Sequence, residues 1–148
     1  GGRFDATNVI SRNEAAVITS ISYDHTAILG DTLDKIAFEK CGILKPGSVC
    51  ITYPEQPAAA LSVIARRARE EGLELVVPDL SQLQVKDSTL AQTRFTYRGE
   101  DYTLKLAGEH QVKNALCAIE TVRALQRRGI VQLTAGQMRE AIAGCTFA

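Results

Sequence analysis

No apolar run in these 148 residues approaches the ~20 positions that a membrane-spanning helix needs. The first residues likewise carry no charged-then-apolar targeting pattern. Neither sign of charge predominates. With 17 basic and 17 acidic residues evenly mixed, the formal net charge is zero, which removes the electrostatic footprint of a nucleic-acid or anionic-membrane binder. The four cysteines, Cys41, Cys50, Cys117 and Cys145, include no CxxC pair. They sit inside apolar patterns and read as buried, reduced thiols of a cytoplasmic protein rather than a disulfide framework or a metal set. The phosphate-cradling motif GxxxxGK[ST] is absent. So are internal repeats, low-complexity tracts and long linkers.

What is present suffices for one core. At 148 residues and 45% hydrophobic content, the chain amounts to one globular domain or part of one. It opens at Gly1-Gly2-Arg3 without an initiator methionine and ends directly after a helical pattern. The expectation is a piece of a longer protein. Residues 1–13 read as loop. Strands are predicted at Ala15–Ile21, Ser48–Tyr53 and Leu73–Val77, alternating with helices. The helix over Pro57–Glu71 has Leu61, Ile64, Ala65 and Ala68 as its apolar line, with its arginines on a solvated face. This alternation predicts an α/β fold, with right-handed βαβ units and a parallel sheet flanked by helices. Over 80–107 the period changes to two (Leu83 and Val85; Phe95 and Tyr97; Tyr102, Leu104 and Leu106), with a turn at Arg98-Gly99-Glu100-Asp101. That predicts a small antiparallel meander whose tyrosines pack rather than bind. A long helix from Glu109 to about Arg128 follows, with Val112, Ala115, Leu116, Ile119 and Val122 buried. A last helix spans Thr134–Gly144, capped by Thr134.

The stretch Thr19–Lys45 holds the densest chemistry. Asp24-His25 follows an apolar strand, at the end where open α/β sheets bind ligands. Beyond an elbow that Asp31 or Thr32 can cap, Leu33, Ile36, Ala37, Lys40 and Leu44 share one helix face, which Lys45-Pro46-Gly47 closes. A lysine on that face has lost its charge, found a partner or snorkelled to water. His25 is either a ligand or a turn residue, and Lys40 either a site residue or a snorkelling one. Together they make a candidate site.

Three segments in order resemble one family. SISYDHTAILGDTLDKIAFEKCGILKPG is similar to the signature segment of the folylpolyglutamate synthase and dihydrofolate synthase family, within the Mur ligase superfamily. GGRFDATN resembles that family's preceding motif, and GEHQVKNALCAI its later nucleotide-site motif. The resemblance implies the C-terminal part of a Mur ligase-type central ATP-binding domain with a β insertion at 80–107. The P-loop would lie upstream, together with an acidic metal ligand just before Gly1-Gly2, and a separate glutamate-binding domain would follow. It implies a cytoplasmic, monomeric, ATP-dependent ligase of folate biosynthesis and one-carbon metabolism that adds L-glutamate to a folate or dihydropteroate carboxylate. Two alternatives stand beside it. One is a cell-wall precursor amino-acid ligase of the same superfamily, which GGRFDATN fits less well. The other is a non-catalytic nucleotide-binding domain.

By motif position the resemblance makes His25 a metal ligand and Lys40 a carbamylated lysine, both serving Mg²⁺ and catalysis. Apolar burial lowers a lysine pKa and leaves a free amine able to react with CO2, so the chemistry suits the place. Asp5 and Ala6 would contact substrate on the pterin side, where a carboxylate can accept from the pterin's N–H groups; an Asx-turn is the plainer role for Asp5. Asn114, off the predicted stripe near the helix start, would present its amide to the adenine of ATP, with His110 and Gln111 beside it. Without the resemblance it reads as a solvent-facing helix residue.

Overall fold

The computed structural model describes residues 9–11, 15–18 and 47–145. Two compact units divide the chain, Gly1–Val77 and Pro78–Ala148. In the first, β1 (Val9–Ser11), β2 (Ala15–Ile18), β3 (Val49–Thr52) and β4 (Glu74–Val76) lie side by side in that order. β2, β3 and β4 run parallel, with Ala15 opposite Val49 and Val49 opposite Glu74. Helix α1 (Ala58–Glu70) connects β3 to β4, since parallel neighbours need a crossover rather than a tight turn. All of β3 is buried, as expected of a Val-Cys-Ile-Thr run inside a parallel sheet.

Two details differ from the sequence pattern. Val9–Ser11 is a strand, antiparallel to β2 with Val9 opposite Ile18, where a loop is predicted through residue 13. Three residues are too few to display a period of two. Backbone pairing at the edge of β2 makes this strand, not its own propensity. In α1 the buried face is Ala60, Val63, Ile64 and Ala68, a line one residue round from the predicted one. Both lines satisfy helical spacing, and tertiary packing chose between them. Arg66 and Arg69 are exposed. Arg67 lies 3.5 Å from Glu70 and 3.6 Å from Glu71, surface pairs contributing below about 1 kcal/mol.

The second unit begins with a 3₁₀ turn (Leu80–Gln82), then β5 (Leu83–Ser88), β6 (Thr93–Tyr97) and β7 (Glu100–Leu104) in an antiparallel meander. Helices α2 (Glu109–Arg127) and α3 (Ala135–Ala143) follow. Alternate residues Phe95, Tyr97, Tyr102 and Leu104 point inward and join Val112, Ala115, Leu116 and Ile119 of α2 with Met138 and Ile142 of α3. The Phe95 and Tyr102 rings stack at 5.4 Å. The aromatic residues of the meander therefore pack, as their alternation predicts. Thr134 caps α3 in a capping box: its Oγ1 accepts from the Gln137 N–H at 3.1 Å, and Gln137 Oε1 accepts from the Thr134 N–H at 2.9 Å. Cys50, Cys117 and Cys145 are free thiols. Among the described residues no helix is long and apolar enough to cross a membrane.

Candidate functional site at the start of α2

The chain passes from β7 into α2 through residues 105–108. Thr93 on the neighbouring strand β6 donates its hydroxyl to the Leu106 carbonyl at 3.0 Å, which ties this loop to the sheet. Gly108 stands at the N-cap with φ +105°, a conformation that L side chains rarely adopt. A Cβ there would meet nothing within 4 Å, so the dihedral and not crowding calls for glycine. With glycine at the cap, no side chain closes the helix start.

His110, Gln111 and Asn114 are polar groups of the first two turns. His110 is exposed and Gln111 half-buried. Asn114 lies four residues after His110, so the two share a side of the helix. The sequence pattern sets Asn114 off the buried stripe with a free amide, and the structure corrects both points. Asn114 is only 7% exposed, and its Nδ2 donates to Gln111 Oε1 at 3.2 Å. The reason is that α2 is buried over a wider arc than one stripe, Cys117 being buried as well. The Asn114 Oδ1 is buried with no hydrogen-bond partner among the described residues. An unmet buried acceptor costs about 1–3 kcal/mol, so this oxygen is held ready for a donor from elsewhere.

Farther along α2, Glu120 is a carboxylate only 2% exposed. Its Oε2 accepts from the Tyr97 hydroxyl at 2.5 Å and from Arg98 Nε at 2.9 Å. Its Oε1 lies 3.2 Å from Arg123 Nε. The Tyr97 oxygen in turn accepts from the Asp79 N–H at 3.1 Å. Burial first, then the bond to Glu120, pushes the Tyr97 phenol up to about 12. This node joins the β6–β7 hairpin to α2. It was missed in the sequence, although Glu120 falls at i+4 from Leu116 on the apolar stripe, the same kind of signal that singles out Lys40. Burial, aided by the Glu120 charge, also raises the Cys117 thiol to about 12. It stays protonated near neutrality and is no nucleophile.

The structure thus brings His110, Gln111 and Asn114 together on one helix. Asp5, Ala6, His25 and Lys40 lie outside the described residues. Among the described residues no group of three His, Cys, Asp or Glu side chains could hold a metal ion. An open cleft of about 700 Å³ lies elsewhere, between α3 and the meander. Its arginines are already engaged, Arg94 with Asp87 at 3.1 Å and Arg139 with Glu100 at 3.5 Å. Neither His110 nor Asn114 lines it, and it reads as a solvated face.

Comparison with known proteins gives a consistent result. Residues 4–122 match the family model of the Mur ligase middle domain. The mitochondrial folylpolyglutamate synthase of Bos taurus is 38% identical over 131 residues, spanning 87% of this chain and 20% of that protein. The dihydrofolate synthase/folylpolyglutamate synthase of Bacillus subtilis is 34% identical over 148 residues, spanning 96% of this chain and 34% of that protein. Among solved structures, the Mycobacterium tuberculosis folylpolyglutamate synthase complexed with ADP and AMPPCP matches with a TM-score of 0.71 at 32% identity. That match covers 99% of this chain and 34% of the other. The chain therefore spans between 20% and 34% of the length of these relatives.

Proposed function

This chain belongs to the Mur ligase middle domain family, and on that premise we propose that the intact protein is an ATP-dependent ligase joining L-glutamate to the carboxylate of a folate or a dihydropteroate. The observation that carries the reading is the buried Asn114 amide with its oxygen unspent, at the place where the resemblance expects a contact to adenine. The names of the bovine and Bacillus subtilis relatives support the substrates. ADP and AMPPCP in the Mycobacterium tuberculosis complex support the nucleotide.

In this reading the acceptor carboxylate oxygen takes the terminal phosphoryl group of ATP, releasing ADP and leaving an acyl phosphate. The glutamate amine then attacks the acyl carbon. Phosphate departs with the C–O electron pair, the amine loses a proton, and an amide remains. Such transfer asks the protein chiefly for positioning and charge. Asn114, with His110 beside it, would hold the adenine, and Asp5 and Ala6 the pterin. The Lys40 amine, left neutral by an apolar face, would add to the carbon of CO2 and lose a proton, giving an anionic carbamate. Its oxygens are the hard ligands that Mg²⁺ prefers, with His25 as a nitrogen partner, so the donor set fits the ion. Bound there, Mg²⁺ would offset phosphate charge. A cytoplasmic, monomeric enzyme belongs to the same proposal.

The test is turnover of ATP, L-glutamate and either dihydropteroate or a reduced folate by the intact protein. Lys40→Ala is expected to abolish ligation while circular dichroism and the unfolding midpoint stay near those of the parent. Unchanged turnover in that variant would remove Lys40 from the site.

A further inference from the structure

We infer that Thr93, buried on β6, is a positioning residue for the nucleotide site: its hydroxyl anchors the chain at the entry to α2 and so holds the first turn of that helix beside Asn114. The inference rests on the reading of Asn114 as a base contact. Thr93 is only 1% exposed and stands opposite Ser88 and Leu104 on the two adjoining strands. Valine would suit burial and strand at least as well, so the hydroxyl is what needs a reason here. Left unbonded, it would cost stability.

Its bonds give the reason. The Thr93 hydroxyl donates to the Leu106 carbonyl at 3.0 Å and lies 3.2 Å from the Ser88 hydroxyl. A hydroxyl has one proton and a carbonyl only accepts. Thr93 therefore gives its proton to Leu106, and Ser88 is the donor to Thr93. The bonds run in one direction, from β5 through β6 to the loop, with only Ala107 between Leu106 and the Gly108 cap. Gly108 cannot fix the entry by itself. Glycine has the widest choice of backbone angles, and no side chain caps the helix. Yet the Gly108 carbonyl accepts from the Gln111 and Val112 N–H groups, both at 3.2 Å, so where Gly108 sits decides where the first turn sits. Gln111 of that turn is hydrogen-bonded to Asn114 at 3.2 Å. The tether preserves this contact, whichever way round the two amides lie.

The experiment is equilibrium binding of ATP and of inorganic tripolyphosphate to the intact protein, below the unfolding midpoint of every variant. Tripolyphosphate reports phosphate contacts alone, so the ratio of the two affinities reports the base-and-ribose end. Thr93→Val removes the donor and should lower ATP affinity about three- to tenfold, with tripolyphosphate affinity unchanged. Thr93→Ser keeps the hydroxyl but loses a buried methyl, so it should be less stable yet bind ATP like the parent. A purely structural threonine would make affinity follow stability, or weaken both ligands alike. Parent-like ATP affinity in Thr93→Val would overturn the proposal, as would an equal loss for tripolyphosphate or a Ser variant as weak as the Val one. Asn114→Ala separates the two levels. If it lowers the ratio while Thr93→Val does not, the role of Thr93 falls and the base contact stands. If Asn114→Ala leaves the ratio unchanged, the base contact itself falls, and the inference with it.

Discussion

Tyr97 carries an electrostatic perturbation that a simple titration can read. An unfolded tyrosine ionises near pH 10, whereas in the fold this phenol is held at about 12, by burial first and then by its bond to Glu120. The folded state therefore binds the proton more tightly. The stability this contributes is complete below about pH 10 and is lost as pH rises toward 12. Urea midpoints are expected to fall across that alkaline window. Tyr97→Phe should be less stable at neutral pH, by about 1 kcal/mol for the lost bond, but should show a flatter alkaline limb. A difference titration of phenolate absorbance, parent minus Tyr97→Phe, should isolate one late component. A component centred near the ordinary tyrosine value would contradict the node. Glu120 adds to the effect of burial, and its place at i+4 from Leu116 on the apolar stripe was a usable signal that went unread in the sequence. Its partners were not visible, because Tyr97 and Arg98 reach it only once the hairpin has folded back onto α2.

The β6–β7 hairpin shows how an element can carry local strain for a contact. Arg98 and Gly99 have φ of +50° and +81°, which makes the two-residue loop of the primed type that matches strand twist. Glycine suits this geometry and arginine does not, at about 1–2 kcal/mol. Against that stand a charge-assisted bond from Arg98 Nε to buried Glu120 at 2.9 Å and a guanidinium 5.2 Å from the centre of the Tyr97 ring. These contribute about 1.5–3 and 0.5–1 kcal/mol respectively. The contacts outweigh the strain. Arg98→Gly should therefore destabilise the protein by about 1–2 kcal/mol despite relieving the turn. Gly99→Ala, with nothing within 4 Å of the new Cβ, should cost about 1 kcal/mol through its dihedral alone. Urea unfolding of both variants checks the order, and a stabilised Arg98→Gly would reverse it. The hairpin was legible in the sequence because its alternation spans two full strands and its turn holds the needed glycine. β1 was not, since a three-residue edge strand is made by its neighbour.

At the scale of the whole molecule, the parallel sheet and the meander could be read from periodicity, and their helices from apolar spacing. The candidate site could be read only as far as its residue types. Spacing put Asn114 on α2 but left its amide free, because one helix says nothing of how wide an arc will be covered. The same scale decides what the chain can do alone. Its 148 residues contain no GxxxxGK[ST] motif, and so no backbone cradle of that kind for the β- and γ-phosphates. The relatives to which it is most usefully compared are three to five times longer, since it spans 34% of one and 20% of another. A base contact without phosphate contacts leaves the transferring group unplaced, and placement supplies most of the acceleration in phosphoryl transfer. The 148-residue chain alone is therefore expected to show no turnover of ATP, L-glutamate and a pteroate, and only feeble ATP affinity, whereas the intact protein is expected to ligate. Release of ADP is the readout. Turnover by the 148 residues alone would mean that phosphate binding and catalysis both reside within them, and the division of labour argued from the missing motif would be wrong.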